Sequence, residues 1–369
     1  MVNTSPFLVK RDKIKMKSKS ILNEKKILIK IKNLSENILK KTKFLPKTNF
    51  AYSYLISELI IVNLEIENII FNKKKNPVPE TLKILDNLNY KIDLIKKNNI
   101  HSNLKKVKRQ SFIKEKSHEE LFQNLWTNYT FDQYLKDRIN RYRKRIKINN
   151  LKKIIKNKSI VDFGCGHGNF LIAAILEGCS YGYGIDYGKK SIDYANKIKN
   201  KLKLKNKLTF KIANIYNTKL KSNSFDIAIQ NGVFHHLDNP TKAYKELFRV
   251  LKKGGFAWFY TDGGGGIRDI IGDMSQKILK DININFKIEK IKSLNLSFGK
   301  TYHMSDNTNA KYQHYDLKTY IKYLKKLGFT NFKQLNGGTS TDFDKPFLND
   351  RYFNLKFGSG DLRILCQKK

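Results

Sequence analysis

The sequence predicts an α/β protein built on a doubly wound parallel sheet, and three observations support this. An apolar run at 160–163 leads into glycines at alternate positions of 164–168. This pattern is typical of a buried strand followed by a loop whose backbone approaches a ligand closely. A second apolar segment ends in Asp186, 22 residues beyond Gly164. Further strand-like and helix-like segments then alternate, as a parallel sheet requires.

The first two strands and the helix between them follow from local patterns. Residues 171–176 are apolar throughout and predict a buried helix that ends before Gly178, and 181–185 predict a second strand. A carboxylate about 20 residues after such a loop is placed to accept hydrogen bonds from both ribose hydroxyls of a nucleoside. The nicotinamide fingerprint is not matched, because its third glycine position is occupied by Asn169. The spacing therefore weakens the case for a dinucleotide.

Several segments resemble, in order, the motifs of the class I S-adenosylmethionine-dependent methyltransferases. Asp-x-Gly-x-Gly-x-Gly at 162–168 resembles the first motif of that family, and 208–214 resembles its third strand. Residues 224–237 resemble the fourth strand with the turn after it, and 256–260 resemble the fifth. Arg-Val-Leu-Lys-Lys-Gly-Gly at 249–255 resembles a signature that is common in small-molecule members such as the quinone and sterol methyltransferases.

This resemblance implies the fold, the cofactor and the reaction. It covers residues 120–260 well and 317–369 more loosely, as the last helix and the closing antiparallel pair of strands. It implies a Rossmann-like, doubly wound seven-stranded sheet with helices on both faces. It also implies S-adenosyl-L-methionine as the cofactor, direct displacement of its methyl group by a small-molecule substrate, and S-adenosylhomocysteine as the product.

The resemblance also implies which residues contact the cofactor. In the family, the strand-end acid and the loop glycines hold the methionine part, and the acid after the second strand holds the ribose. The position near the adenine often carries an acid, whereas this chain has Asn214, whose amide can still bond to adenine. The implied cofactor-binding residues are Asp162, Gly164, Cys165, Gly166, Gly168, Asp186, Tyr187, Asn214, Ile215, Asn231 and Gly232.

A base is expected near the fourth strand. An acceptor oxygen or ammonium nitrogen must lose a proton near neutral pH, and histidine is the usual group to take it. His235 and His236 follow the fourth strand, at the edge of the sheet where a substrate is expected. His236 is the preferred candidate of the two. The alternative is that both side chains bond to the backbone of the turn.

The segment 262–316, between the fifth strand and the last helix, predicts a lid or substrate cap. It is far longer than a usual connection, and it begins with Asp262 and four glycines, a candidate hinge. Its imidazole and phenol groups suit proton transfer on a small substrate, although surface residues in a lysine-rich loop would look the same. The candidate catalytic residues are therefore His236, Tyr302, His303 and His314, and no metal ligands are predicted.

The chain is predicted to hold a helical N-terminal extension at 1–117 and a methyltransferase domain at 118–369. Apolar residues recur at three- and four-residue steps over 51–71 and 82–95, which predicts two packed helices. Within the domain, 121–142 resembles the helical segment that many family members fold over the cofactor. Its aromatic residues are interpreted as packing residues. The predicted polar linkers are 1–20 and 101–117.

The formal net charge of +41 would ordinarily indicate a nucleic-acid or anionic partner. Residues 1–150 carry +20 and 151–369 carry +21, so the excess is spread through both parts. It is mostly lysine, with ten arginines among 73 basic residues, whereas nucleic-acid sites usually concentrate arginine and aromatic residues on one face. The composition therefore favours diffuse charge. The dense cluster at 138–158 is interpreted as a solvated helix face.

Composition and missing motifs exclude several classes. Three cysteines are too few and too badly spaced for a disulfide framework or a zinc site, and no uncharged apolar run of about 18 residues occurs. We therefore expect a cytoplasmic protein that does not engage a membrane. The Pro-Pro turn of base-amine methylating enzymes is replaced by Gly232 and Val233. Two alternatives stay open: an RNA methyltransferase that uses the lysine-rich extension, and a non-catalytic cofactor-binding subunit that docks a partner. Oligomeric state is also left open.

Overall fold

The computed structural model describes residues 6–45, 48–72, 75–97, 130–309, 312–339, 342, 344, 346 and 348–369. The chain divides into two compact units, which we call the sheet unit and the helical unit. The sheet unit comprises Phe112–Gly264, Asn309–Asn349 and Ser359–Lys369. The helical unit comprises Met1–Ser111, Gly265–Thr308 and Asp350–Gly358.

The helices within the described residues are, in chain order, α1 Pro6–Thr42, α2 Asn49–Phe71, α3 Val78–Lys97, α4 Phe131–Gln133, α5 Asn140–Ile148, α6 Lys152–Ile155, α7 Asn169–Leu176, α8 Lys189–Lys201, α9 Pro240–Val250, α10 Ile267–Leu279, α11 Ile284–Ser293, α12 Phe298–Asn309, α13 Leu317–Lys326 and α14 Phe353–Phe357. A π-helical segment, Tyr134–Ile139, joins α4 to α5, and a 3-10 turn covers Phe234–His236. None of these helices is long and apolar enough to cross a membrane.

A seven-stranded mixed sheet forms the centre of the sheet unit, which confirms the predicted fold class. Its strands are β1 Ser159–Phe163, β2 Tyr181–Asp186, β3 Leu208–Ile212, β4 Phe225–Asn231, β5 Leu251–Asp262, β6 Phe329–Gln334 and β7 Asp361–Lys368. Their spatial order is β3-β2-β1-β4-β5-β7-β6. The first five strands are parallel, and β7 runs antiparallel to β5 and β6. The order reverses between β1 and β4, the point where parallel sheets of this kind bind ligands.

Alternate residues of the central strands enter two hydrophobic cores, one on each face of the sheet. Ile160 and Ile227 pack in one core with residues of α5, α7 and α8. Val161 and Ala228 pack in the other with residues of α9 and α13. This alternation follows from the two-residue period of a strand. It confirms the predicted helices on both faces.

The helical unit combines segments that are distant in the chain. Helix α1 packs against α3, α10 and α14, and α2 packs against α3, α10 and α11. Helices α2 and α3 confirm the helices predicted at 51–71 and 82–95. The linker predicted at 1–20 is wrong for residues 6–20, which belong to α1. The linker at 101–117 and the part of 121–142 before residue 130 lie outside the described residues.

The three helices that directly follow β5, α10 to α12, belong to this helical unit except for the last residue of α12. Most of the predicted cap, 262–316, folds as α10, α11 and α12. Its two ends, 262–264 and 309–316, belong to the sheet unit. A role as lid or substrate cap stays a prediction.

Candidate functional site

The loop after β1 turns back on the end of β2. The backbone N–H groups of Gly164 and Cys165 both donate to the carbonyl oxygen of Ile185, at 2.8 and 2.9 Å. Gly164, Gly166 and Gly168 have φ angles of 77°, 51° and 75°. Residues with a Cβ are strained in this left-handed region. The alternate glycines therefore allow the loop to take this path.

The three glycines differ in what surrounds them. A Cβ on Gly164 would lie 2.6 Å from a methyl group of Val233, and one on Gly168 would overlap the ring of Phe210. A Cβ on Gly166 would meet nothing within 4 Å. The outer glycines therefore serve packing, and the middle one borders open space in front of the loop.

Asp186 at the end of β2 holds this loop by its carboxylate. The N–H of Gly166 donates to Oδ2 and the N–H of Gly188 donates to Oδ1, both at 2.8 Å. Burial raises the pKa of Asp186, although these backbone hydrogen bonds act in the opposite direction. Each carboxylate oxygen has a second lone pair that can accept another donor. Asp186 can therefore hold the loop and a ligand hydroxyl at the same time.

Asp162 is buried next to this loop with part of its hydrogen-bonding capacity unused. Its side chain is 2% exposed, and its Oδ1 has no hydrogen-bond partner among the described residues. Burial, with a smaller contribution from the charge of Asp186, raises the pKa of Asp162 to about 8. A buried carboxyl oxygen without a partner costs free energy. A ligand ammonium group would supply the missing donors.

The other residues expected at the cofactor have different surroundings. Cys165 is buried in a hydrophobic core, and burial raises the pKa of its thiol, so it is not a reactive group. Tyr187 is 61% exposed. Asn214 is exposed, and its Oδ1 accepts a hydrogen bond from the N–H of Tyr216 at 2.8 Å. At the end of β4, Asn231 Nδ2 is buried without a partner among the described residues. Ile215 packs against a hydrophobic core and Gly232 has a φ of 75°.

Residues not singled out by the sequence support the glycine loop. The hydroxyl of Tyr134, in the π-helical segment, donates to the carbonyl oxygen of His167 at 2.6 Å. The His167 ring lies 4.6 Å from the ring of Tyr194. Burial lowers the pKa of His167 to about 4, so this imidazole is neutral near pH 7. His167 occupies a variable place of the motif, and its role depends on residues that are far away in sequence.

On the other side of the switch point, aromatic and imidazole rings gather after β4. The Tyr312 ring stacks on His235 at 5.4 Å and meets His236 edge-on at 4.6 Å. His235 is buried, and its Nδ1 lies 3.3 Å from the hydroxyl of Thr261. The N–H of Gln313 donates to the carbonyl oxygen of His235 at 2.8 Å. The segment after α12 is therefore joined to the histidine turn by backbone and ring contacts.

His314 lies beside the carboxylate of Asp262 at the end of β5. Its Nδ1 lies 2.8 Å from Oδ2 of Asp262. Its ring is parallel to that of Tyr312, with centroids 6.1 Å apart. A Cβ on Gly264 would overlap the His314 ring. A carboxylate on Nδ1 fixes the imidazole tautomer and leaves Nε2 to accept a proton.

The four predicted catalytic residues therefore separate into two groups. His236 and His314 lie in the sheet unit and contact the same ring, that of Tyr312. Tyr302 and His303 lie on α12 in the helical unit. The Nε2 of His303 lies 3.2 Å from the amide nitrogen of Asn307, and burial lowers the pKa of His303.

The interpretation of 138–158 as a solvated face is wrong for Arg145, although Arg143 is exposed as predicted. Arg145 is 6% exposed and donates to Asp342 at 2.8 Å and to the carbonyl oxygen of Gly337 at 2.8 Å. Arg141 also pairs with Asp342, at 3.1 Å. Buried charges need such partners. Asp342 lies far along the sequence, so the local pattern did not indicate this pairing.

Part of the chain matches one known protein family. Residues 154–261 match the family described as "Methyltransferase domain".

Two curated relatives match over similar lengths. An uncharacterized methyltransferase of Schizosaccharomyces pombe is 32% identical over 114 residues, which is 29% of this chain and 40% of the relative. The human EEF1A lysine methyltransferase 2 is 34% identical over 112 residues, 28% of this chain and 47% of the relative. The chain thus spans less than half the length of these relatives. Neither relative is named as a quinone or sterol methyltransferase.

A solved structure of an S-adenosylmethionine-dependent methyltransferase from Mesorhizobium loti is also similar. It is 18% identical, covers 59% of this chain and 96% of its own, and has a TM-score of 0.38.

Proposed function

We propose that this chain, in which residues 154–261 form a class I methyltransferase domain, transfers a methyl group from S-adenosyl-L-methionine to a small-molecule acceptor. The observation that carries the proposal is the pair formed by His314 and Asp262, whose nitrogen and oxygen are 2.8 Å apart. The end of β5 holds this pair within the same unit as the glycine loop. A cofactor cradle and an oriented base are the two parts that the reaction needs.

The residues around the glycine loop fit the cofactor. The unpartnered Oδ1 of Asp162 suits the ammonium group of its methionine part, and the open space before Gly166 suits close approach to the backbone. Asp186 retains lone pairs for the ribose hydroxyls. Asn231 Nδ2 is a buried donor without a partner among the described residues. When bound, S-adenosyl-L-methionine supplies an already activated methyl group.

His314 would act as the base. The Asp262 carboxylate lies 2.8 Å from Nδ1 and favours a proton on that nitrogen, so Nε2 would carry the lone pair that takes the proton of the acceptor. The carboxylate also stabilises the imidazolium that forms. His236, which shares the Tyr312 contact, is proposed to bind the acceptor. Roles for Tyr302 and His303 stay predictions.

A second acceptor class is the amine of a protein lysine. The human relative named EEF1A lysine methyltransferase 2, 34% identical over 112 residues, favours this candidate. An ammonium group must also lose a proton before it attacks, so the same base would serve. Competition between small amines or alcohols and folded lysine-containing proteins would separate the two candidates.

Three variants test the base. His314→Gln and Asp262→Asn should each lower kcat by about 100-fold, while calorimetric affinity for S-adenosyl-L-methionine stays within about twofold of wild type. Asp193→Asn, which removes an exposed carboxylate on α8, is the control for Asp262→Asn and should leave kcat unchanged. Formation of S-adenosylhomocysteine is followed with a panel of small amines, alcohols and phenols and with folded lysine-containing proteins. Unchanged kcat in both His314→Gln and Asp262→Asn would remove His314 as the base.

Failure on every acceptor would favour a non-catalytic subunit. This outcome requires that the protein binds S-adenosyl-L-methionine but produces no S-adenosylhomocysteine with the small-molecule, protein or RNA panels. Turnover with RNA alone would instead favour the RNA methyltransferase alternative.

A further inference from the structure

Seven lysines lie between residues 197 and 211, in the part of the sheet unit that leads into and forms the edge strand β3, and we call them the lysine edge. Six of them are exposed and Lys199 is partly buried. They come from the C-terminal part of α8, the loop after it and the edge strand β3. No Asp or Glu occurs between Asp193 and Asp226. The lysine edge comprises Lys197, Lys199, Lys201, Lys203, Lys205, Lys207 and Lys211.

The lysine edge has no acidic partner among the described residues. Within the part of the chain that the structure describes, none of the seven lysines forms an ion pair, and Lys201 lies over the ring of Phe131 at 3.7 Å. The other dense basic segment, 138–158, is different. There Arg143 lies 2.6 Å from Glu177, and Arg145 lies 2.8 Å from Asp342. These two arginines are thus paired with acidic residues, whereas the lysine edge has no such pair among the described residues.

The lysines are close enough to repel one another. Burial lowers the pKa of Lys199, and the neighbouring charges of Lys205 and Lys211 lower it further. Lysine on an edge strand can prevent pairing with another sheet. Here that explanation covers only Lys211, since the other six lie outside β3. A concentration of like charge is relieved when a polyanion binds along it.

The lysine edge leads to the candidate cofactor site. Ile212, the last residue of β3, is paired with Asp186 in the sheet register. Ile212 is 52% exposed, and Tyr187, next to Asp186, is 61% exposed. An exposed ring and an exposed aliphatic side chain thus stand at the end of the row of lysines.

We propose that the lysine edge binds the phosphate backbone of a single-stranded nucleic acid, with Tyr187 and Ile212 contacting its bases. Lysines act as point charges that suit phosphates without reading sequence. Exposed aromatic rings stack on unpaired bases. An acidic protein surface could also pair with the lysines, but it would not require the exposed ring of Tyr187. The proposal is independent of methyl transfer, because binding is measured without cofactor or acceptor.

The test compares two triple variants of the full chain that lose the same charge. One is Lys203→Gln, Lys205→Gln and Lys207→Gln. The control is Lys318→Gln, Lys322→Gln and Lys326→Gln on α13, where the three lysines are also exposed. The probe is a fluorescein-labelled oligouridylate of about 12 nucleotides, titrated at several salt concentrations. Oligothymidylate, polyglutamate and phosphatidylserine vesicles are used as competitors.

The lysine-edge triple should bind the oligouridylate at least tenfold more weakly, while the control stays within about twofold of wild type. The slope of log K against log salt should fall by about 2 in magnitude, because each phosphate contact on a single strand contributes about 0.7. Tyr187→Ala should weaken binding without changing the slope. Equal loss in both triples would assign the affinity to diffuse charge and overturn the proposal. So would polyglutamate or vesicles competing as well as oligothymidylate.

Discussion

The two sides of the switch point in the sheet unit are built differently. On the cofactor side, after β1 and β2, the key groups are held by backbone hydrogen bonds within about 25 residues of chain, as between Gly166 and Asp186. On the acceptor side, after β4 and β5, side chains from separate segments meet, as between Asp262 and His314. The proposed cofactor binding therefore depends on local backbone geometry, and the proposed proton transfer depends on tertiary contacts between side chains.

The largest expected effect is on the cofactor side. Gly164→Ala should lower the free energy of unfolding by about 3 kcal/mol, since its Cβ would overlap Val233 and its φ of 77° is strained. Gly166→Ala should cost about 1 kcal/mol, because only its backbone strain remains. Both variants should bind S-adenosyl-L-methionine more weakly. Denaturant unfolding measures the difference, and equal losses would show that packing does not distinguish the two glycines.

A second effect should appear only in cofactor affinity. Asp162→Asn removes the carboxylate expected to hold the ammonium group and should weaken S-adenosyl-L-methionine binding by about 2 kcal/mol, roughly 30-fold. Turnover at saturating cofactor should change little. Isothermal titration calorimetry measures the affinity. An unchanged Kd would place the ammonium group elsewhere.

The carboxyl group of Asp162 should also make cofactor affinity depend on pH. Because the pKa of Asp162 is raised to about 8, the protonated form predominates below that pH, and a cationic ligand must displace the proton. Affinity of the wild type should therefore rise between pH 6 and 8, and Asp162→Asn should lose this rise. Without ligand, the free energy of unfolding should instead decrease as the pH rises. A group with a raised pKa stabilises the folded state below its unfolded pKa of 3.8, and this contribution is lost as the pH rises towards 8.

The smallest expected effect is on kcat alone and arises on the acceptor side. Tyr312→Leu removes the ring that lies parallel to His314 and should lower kcat about tenfold, since the imidazole loses the contact that orients it. Tyr312→Phe keeps the ring and should stay near the wild-type kcat. Affinity for S-adenosyl-L-methionine should be unchanged in both. Equal kcat in the Leu and Phe variants would show that the ring does not orient the base.

Much of the sheet unit could be predicted from the sequence because its signals are local. The glycine spacing and the apolar runs predicted β1, β2 and α7 close to their observed bounds. β5 is longer than the predicted 256–260, because the Lys-Lys-Gly-Gly segment continues it from Leu251. The linker predicted at 1–20 missed part of α1, since its polar composition conceals a helix that packs against other helices.

The candidate site shows the limit of sequence reasoning. His314 was one of four candidates, and nothing near it in the sequence distinguished it from His303. The partner that distinguishes it, Asp262, stands 52 residues earlier at the end of β5. Arg145 was likewise interpreted as solvated because its partner, Asp342, is 197 residues away. Such pairings follow from the path of the chain, which a local pattern does not contain.

The sequence by itself determined the order of strands and helices and the glycine loop with its acid at Asp186. These depend on residue spacing and on backbone conformations that particular residues adopt. Only the tertiary structure decided which histidine has a carboxylate beside it and which arginines are buried in ion pairs. The physical reason is that desolvation and Coulombic attraction act between groups that the fold brings within a few ångströms, whatever their separation along the chain.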